Sequence, residues 1–178
     1  MLDKLYITPR QWMHILRWSL YALLLLTAML VQTVVLGNHT LWGAKPDFVP
    51  VVIACVCLRE GAQRGGLFAL LGSIFWALSG ADMGSVYIIV LTVIPIWGTL
   101  LYKEFLFSRF LPCLVLCFLT LAVQHNVMFF LRFVYEPIDF NLYFTRLVPC
   151  VLVSLLAQPL CYWLVNCIEK IGDAYESI

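Results

Sequence analysis

The sequence predicts an all-α, polytopic membrane protein with about six transmembrane helices, two of them short, and with both termini in the cytoplasm. Three observations predict this. Charged residues make up 12% of the 178, about half the roughly 25% of a typical soluble domain. Long intervals carry no charge, and the mean hydropathy is +0.95. The lysines and arginines gather in alternate connecting segments, as cytoplasmic loops require. Because the net charge is only +1, there is no basic surface to hold nucleic acid.

Each span is measured against the rule that about 20 residues, rising 1.5 Å apiece, cross a hydrocarbon layer of about 30 Å. Residues 1–17 come first. Trp12, Ile15, Leu16 and Trp18 beside Arg10, His14 and Arg17 predict an interfacial helix running into the membrane. The segment is too long, and too poor in small residues at its far end, for a cleaved signal peptide. Twenty-seven uncharged residues separate Arg17 from Lys45, and 18–36 form the first span. Asn38-His39-Thr40 matches the glycosylation pattern on an outer loop, a match frequent by chance.

The next apolar run, Phe48 to Leu58, is only eleven residues long. Read alone it is a buried strand or a short core helix. Taken with its flanks it becomes a short second span, 43–58, with Pro46 in its first turn and Lys45 and Asp47 at the interface. The stretch "LREGAQRGG" then reads as a tight cytoplasmic turn. Gly61, Gly65 and Gly66 permit the reversal, and Glu60 offsets part of the charge of Arg59 and Arg64. A re-entrant hairpin would instead place both arginines deep in lipid, at about 2.5 to 3.5 kcal/mol each, so full crossing is expected. The turn reads either as a solvated reversal or as a docking point for a cytoplasmic partner.

Span three, 65–81, is short and carries Gly65, Ala69, Ser73 and Ala77 at every fourth residue. Such a ridge lets another helix approach closely, from this chain or another. Spans 84–102, 110–131 and 147–168 fill uncharged intervals of 20, 22 and 22 residues. Pro95 and Pro159 are expected to kink the fourth and sixth. With the N-terminus inside, the cytoplasmic segments hold eight Lys and Arg residues against three outside, namely Lys45, Arg132 and Arg146.

The tails and loops are too short for an aqueous domain, so any chemistry would lie in the bilayer. No paired aspartates, His-Glu-x-x-His or Ser-His arrangement stands at span depth, and no enzymatic activity is expected. The seven cysteines all lie in apolar runs and read as small apolar residues. Cys113 and Cys117 share a helix face, but no adjacent His or acid completes a metal site, and no cofactor is expected. Gln32, Gln124, His125, Asn126 and Gln158 fall within spans and read as hydrogen-bonding glue between helices.

Lys45-Pro46-Asp47-Phe48, Leu58-Arg59-Glu60-Gly61, Arg64-Gly65, Gly72 and Leu78-Ser79-Gly80 followed by Met83-Gly84 together resemble the rod shape-determining protein MreD family. The motif match covers residues 43–84; span number and length extend it loosely over the chain. Many members carry an acid where this chain has Trp76. The resemblance implies a non-enzymatic scaffold of the bacterial cell-elongation machinery, multi-pass in the cytoplasmic membrane. Its implied partners are the single-span MreC and, through it, the MreB filament, RodA and a penicillin-binding protein, which build lateral-wall peptidoglycan and set cell shape. The candidate partner-contact residues are Pro46, Asp47, Arg59, Glu60, Gly61, Arg64, Gly65, Ala69, Ser73 and Ala77.

A second class fits the size and the six spans: the substrate-binding S component of an energy-coupling-factor vitamin transporter. Those proteins usually carry Ala-x-x-x-Ala in the first span. Here Ala22 is followed by Leu26 and Ala28 by Gln32, so the motif is absent.

Overall fold

The structure, a computed structural model, describes residues 9–35, 45–79, 84–102, 110–135, 141 and 143–173. Every described element is helical, so the all-α expectation holds for these residues. Four stretches are long and apolar enough to cross a membrane: Gln11–Val35, Ser85–Tyr102, Phe110–Val134 and Tyr143–Ile171.

Helix α1, Pro9–Leu30, opens on a proline, which needs no N–H partner there, and ends in a π-helical turn, Val31–Val35. The expected interfacial segment and first span are thus one continuous helix from Pro9 onward. The glycosylation pattern at Asn38 lies outside the described residues.

The segment Phe48–Leu78 is divided at Gly61, where φ is 83° and ψ is 169°, a conformation open essentially only to glycine. Its two arms, α2 (48–60) and α3 (62–78), fold back on each other. A Cβ built on Gly65 would lie 2.5 Å from Cα of Cys57, and one on Gly72 would lie 3.5 Å from Ile53. In a straight helix residues eight apart are separated by about 12 Å, so these approaches require a reversal. The turn expected at 59–66 is present.

Helix α2 begins at Phe48, five residues later than the sequence suggested, and Pro46 precedes it. The cause is Pro50. Its ring would strike the carbonyl of residue 46 if the helix extended further back. Asp47 is accordingly extended, with φ −106° and ψ 98°. Helix α3 ends at Leu78, where the N–H of Ser79 bonds the carbonyls of Phe75 and Trp76.

Helix α4, Gly84–Tyr102, continues through Pro95 without a break. Helix α5 is Phe110–Tyr135. The last span starts with a π-helical turn, Tyr143–Leu147, and breaks at Ala157 into α6, Val148–Leu156, and α7, Gln158–Asp173. Pro159 causes that break, because it cannot donate to the carbonyl of Leu155.

Helices α3, α4 and α5 pack antiparallel in turn. Ser73 of α3 meets Thr92 of α4, Gly66 faces Ile96, and Gly98 of α4 faces Leu116 of α5. Helix α2 forms the axis of the bundle: Val49 and Val51 to Cys57 have no exposed surface. Tyr21, Leu25, Phe68, Leu116 and Val165 from the surrounding helices close on it. Large apolar side chains meanwhile cover the outside, among them Leu23, Val34, Phe75, Trp97, Phe130 and Trp163. An outer surface this apolar suits lipid rather than water, and helices in lipid associate through close packing and hydrogen bonds.

Candidate functional site

The start of α2 poses a problem that the surrounding side chains solve. The first four N–H groups of a helix have no partner within it, and in an apolar bundle water does not supply one. Here the N–H of Asp47 donates to Oγ of Ser154 at 2.8 Å. Those of Phe48 and Val49 donate to Oε1 of Gln32 at 3.0 and 3.3 Å. Residue 50 is proline and has no N–H. All four positions are accounted for.

Around this helix start, the Asp47 carboxylate collects donors from three directions. Nε2 of Gln32 donates to Oδ1. Nε2 of Gln124 donates to Oδ2 at 3.2 Å and to the Tyr87 hydroxyl at 2.9 Å. Nε2 of His125 lies 3.4 Å from Oδ2, an ion pair when the imidazole is protonated. Cys150 sits 3.5 Å from that imidazole and donates to the carbonyl of Lys45 at 2.7 Å. Helices α1, α2, α4, α5 and α6 all contribute. Oε1 of Gln124 is buried with no hydrogen-bond partner.

Asp47, His125 and Cys150 lie close enough to hold a metal ion. Their donor atoms are nevertheless engaged within the chain, and the set mixes a hard carboxylate with a soft thiol. It works as a hydrogen-bonded clamp on α2.

The opposite end of α2 is tied as firmly. Arg59 pairs with Glu169 at 2.6 Å, donates to the Tyr162 hydroxyl and to Oδ1 of Asn166 at 2.8 Å each, and lies over the Tyr162 ring. Arg17 of α1 pairs with Glu60 at 2.5 Å. The hairpin tip is therefore fastened to the first and last helices. A charge enclosed at this depth is tolerable only when paired and hydrogen-bonded.

Of the ten residues singled out in the sequence, most face inward. Pro46 is buried and Asp47 anchors the clamp; the Arg59 and Glu60 side chains are only 6% and 3% exposed. Gly61 makes the reversal. Gly65, Ala69 and Ser73 are buried against helices of this chain, Ala77 is half-buried, and Arg64 is exposed. The small-residue ridge thus serves packing within the chain. Motif reading missed Ser154, Tyr87, Tyr162, Asn166 and Glu169. Gln32, Gln124 and His125 had carried a signal of their own, as polar side chains in mid-span.

Comparison with protein-family models, with curated proteins and with solved structures finds no match to this chain. Its long apolar helices and apolar exterior are compatible with a membrane protein.

Proposed function

We propose that this chain is a non-enzymatic, six-span membrane scaffold of the bacterial cell-elongation machinery, with both termini in the cytoplasm. It pairs with an MreC-like single-span protein and, through that partner, acts on the MreB filament, RodA and a penicillin-binding protein. The observation that carries this reading is the hairpin tip. Arg17, Arg59, Glu60 and Glu169 fix one end of the bundle, and Arg64 stands exposed beside them. Among the described residues that end holds five of the eight lysines and arginines, an excess that a cytoplasmic face carries. A tip held by two terminal helices presents charge to a partner without having to be ordered first, which lowers the entropic cost of binding.

In the same reading α2 rises about 20 Å and the three non-helical residues 45–47 add at most about 10 Å, which together reach a hydrocarbon layer of about 30 Å. Non-helical backbone at membrane depth is tolerated where protein surrounds it, as the Gln32 and Ser154 bonds do here. Affinity purification of the tagged chain from native membranes tests the proposal. Co-recovery of a single-span MreC-like protein and wall-synthesis enzymes is expected; their absence from repeated purifications rejects it.

The unpartnered Oε1 of Gln124 favours a second reading. A buried acceptor within a polar cluster is what a solute site offers, as in the S component of a vitamin transporter. Tight binding of thiamine, riboflavin or biotin by the purified protein, or co-recovery of coupling ATPases, selects that reading.

A further inference from the structure

Three cysteines far apart in the chain converge in the interior. Sγ of Cys55, on α2, lies 3.3 Å from that of Cys113 and 3.9 Å from that of Cys117, one turn apart on α5. All three sulfurs fall within 4.8 Å of one another, and none of the side chains is exposed. A metal ion held by thiolates at about 2.3 Å needs its sulfurs about 3.8 to 4.0 Å apart. The Cys55–Cys117 edge, at 3.9 Å, has that spacing, and the Cys55–Cys113 edge, at 3.3 Å, is about half an ångström short of it.

Buried thiols alone could be mere packing. A second observation points further. Gln158, at the head of α7, is fully buried beside Cys113, and neither atom of its amide makes a hydrogen bond. Neutral thiols are weak acceptors, whereas a metal-bound thiolate is a strong one that outer-sphere N–H groups commonly support. The orphan amide is placed to supply such a group.

We propose that Cys55, Cys113 and Cys117 form a buried Cu(I) site, with Gln158 donating to a ligand sulfur. All-sulfur sites select Cu(I) or zinc. Structural zinc almost always takes four tetrahedral ligands, so a close group of three favours Cu(I). The single charge also suits an apolar interior. Binding releases thiol protons: loss of one leaves the site neutral, and loss of two leaves one negative charge.

The test uses the full chain, purified in detergent under anaerobic, reducing conditions and titrated with Cu(I) against bicinchoninate. One ion per chain is expected, with a thiolate-to-copper absorption band and an X-ray absorption shell of sulfur at about 2.3 Å. Cys113→Ser with Cys117→Ser should weaken binding by about 100-fold, and Gln158→Leu by about 10-fold. Cys167→Ser, outside both cysteine-containing clusters, should leave it intact. Wild-type binding no stronger than that of the double variant overturns the proposal, as does a shell of nitrogen and oxygen. Should the double variant fail to fold, the wild-type absorption shell decides alone.

Discussion

Gln32 and Asp47, on different helices, form a reciprocal cap: the Gln32 amide donates to the Asp47 carboxylate through Nε2, while its Oε1 accepts the N–H groups of Phe48 and Val49. Usually the capping residue's own side chain does this work. Asp47 makes no such bond, and its carboxylate is left free to bind Gln124 and approach His125.

Removing the cap should therefore cost more than one hydrogen bond. Gln32→Ala leaves two N–H groups and a carboxylate oxygen unsatisfied in the interior, at about 1 to 3 kcal/mol each. A fall of several degrees in the melting temperature is expected in detergent. Leu30→Ala, on the apolar outer face, should change it little. Equal melting of the two variants would contradict the cap.

The hairpin predicts a ranking among glycine variants. Gly65→Ala drives a methyl group into the Cys57 backbone, which cannot move aside, and should destabilise by about 1 to 3 kcal/mol. Gly61→Ala meets open space but must hold a positive φ, also at about 1 to 3 kcal/mol. Gly72→Ala meets the end of the Leu25 side chain at 3.0 Å and Ile53 at an ordinary 3.5 Å, both side chains, and should be the mildest. Thermal unfolding of the three purified variants gives the order.

How much of this was legible in the chain itself can be judged residue by residue. The reversal at Gly61 was, because charges and glycines interrupt a greasy sequence only where the chain turns. The break near Pro159 was legible for the same local reason. The start of α2 was misread, because the eleven-residue apolar run was carried back past Lys45 and Asp47 to reach crossing length, and the veto came from Pro50. The clamp escaped altogether: Asp47 and Gln124 are 77 residues apart, and Asp47 and Ser154 107. No spacing rule reaches that far. Cys55 was overlooked beside Cys113 for the same reason, since it joins them only when α2 becomes the axis.

At the tip, the partners Arg59 and Glu169 should be strongly interdependent. Either one replaced by alanine leaves the other enclosed without its counter-charge, a loss of about 3 kcal/mol or more. Arg59→Met combined with Glu169→Leu should recover part of that loss. A double-mutant cycle on unfolding free energy measures the coupling, and additive losses would show the contact to be idle.

Sidedness follows from the proposed six crossings. In a Cys167→Ser background, Arg64→Cys should react with a membrane-impermeant maleimide in inverted vesicles and not in intact cells. Arg132→Cys, near the far end of α5, should behave oppositely. Labelling of both from the same side would remove the topology.

The axial position of α2 also bears on how the protein is made. The ribosome delivers α2 long before Gln124, Ser154 and Glu169 exist to satisfy Asp47 and Arg59. Until those later helices emerge, Arg59 lacks its counter-charge, and Asp47 and the start of α2 have Gln32 alone. In the proposed membrane setting, the nascent hairpin is expected to stay with the insertion machinery until Gln124, Ser154 and Glu169 have emerged.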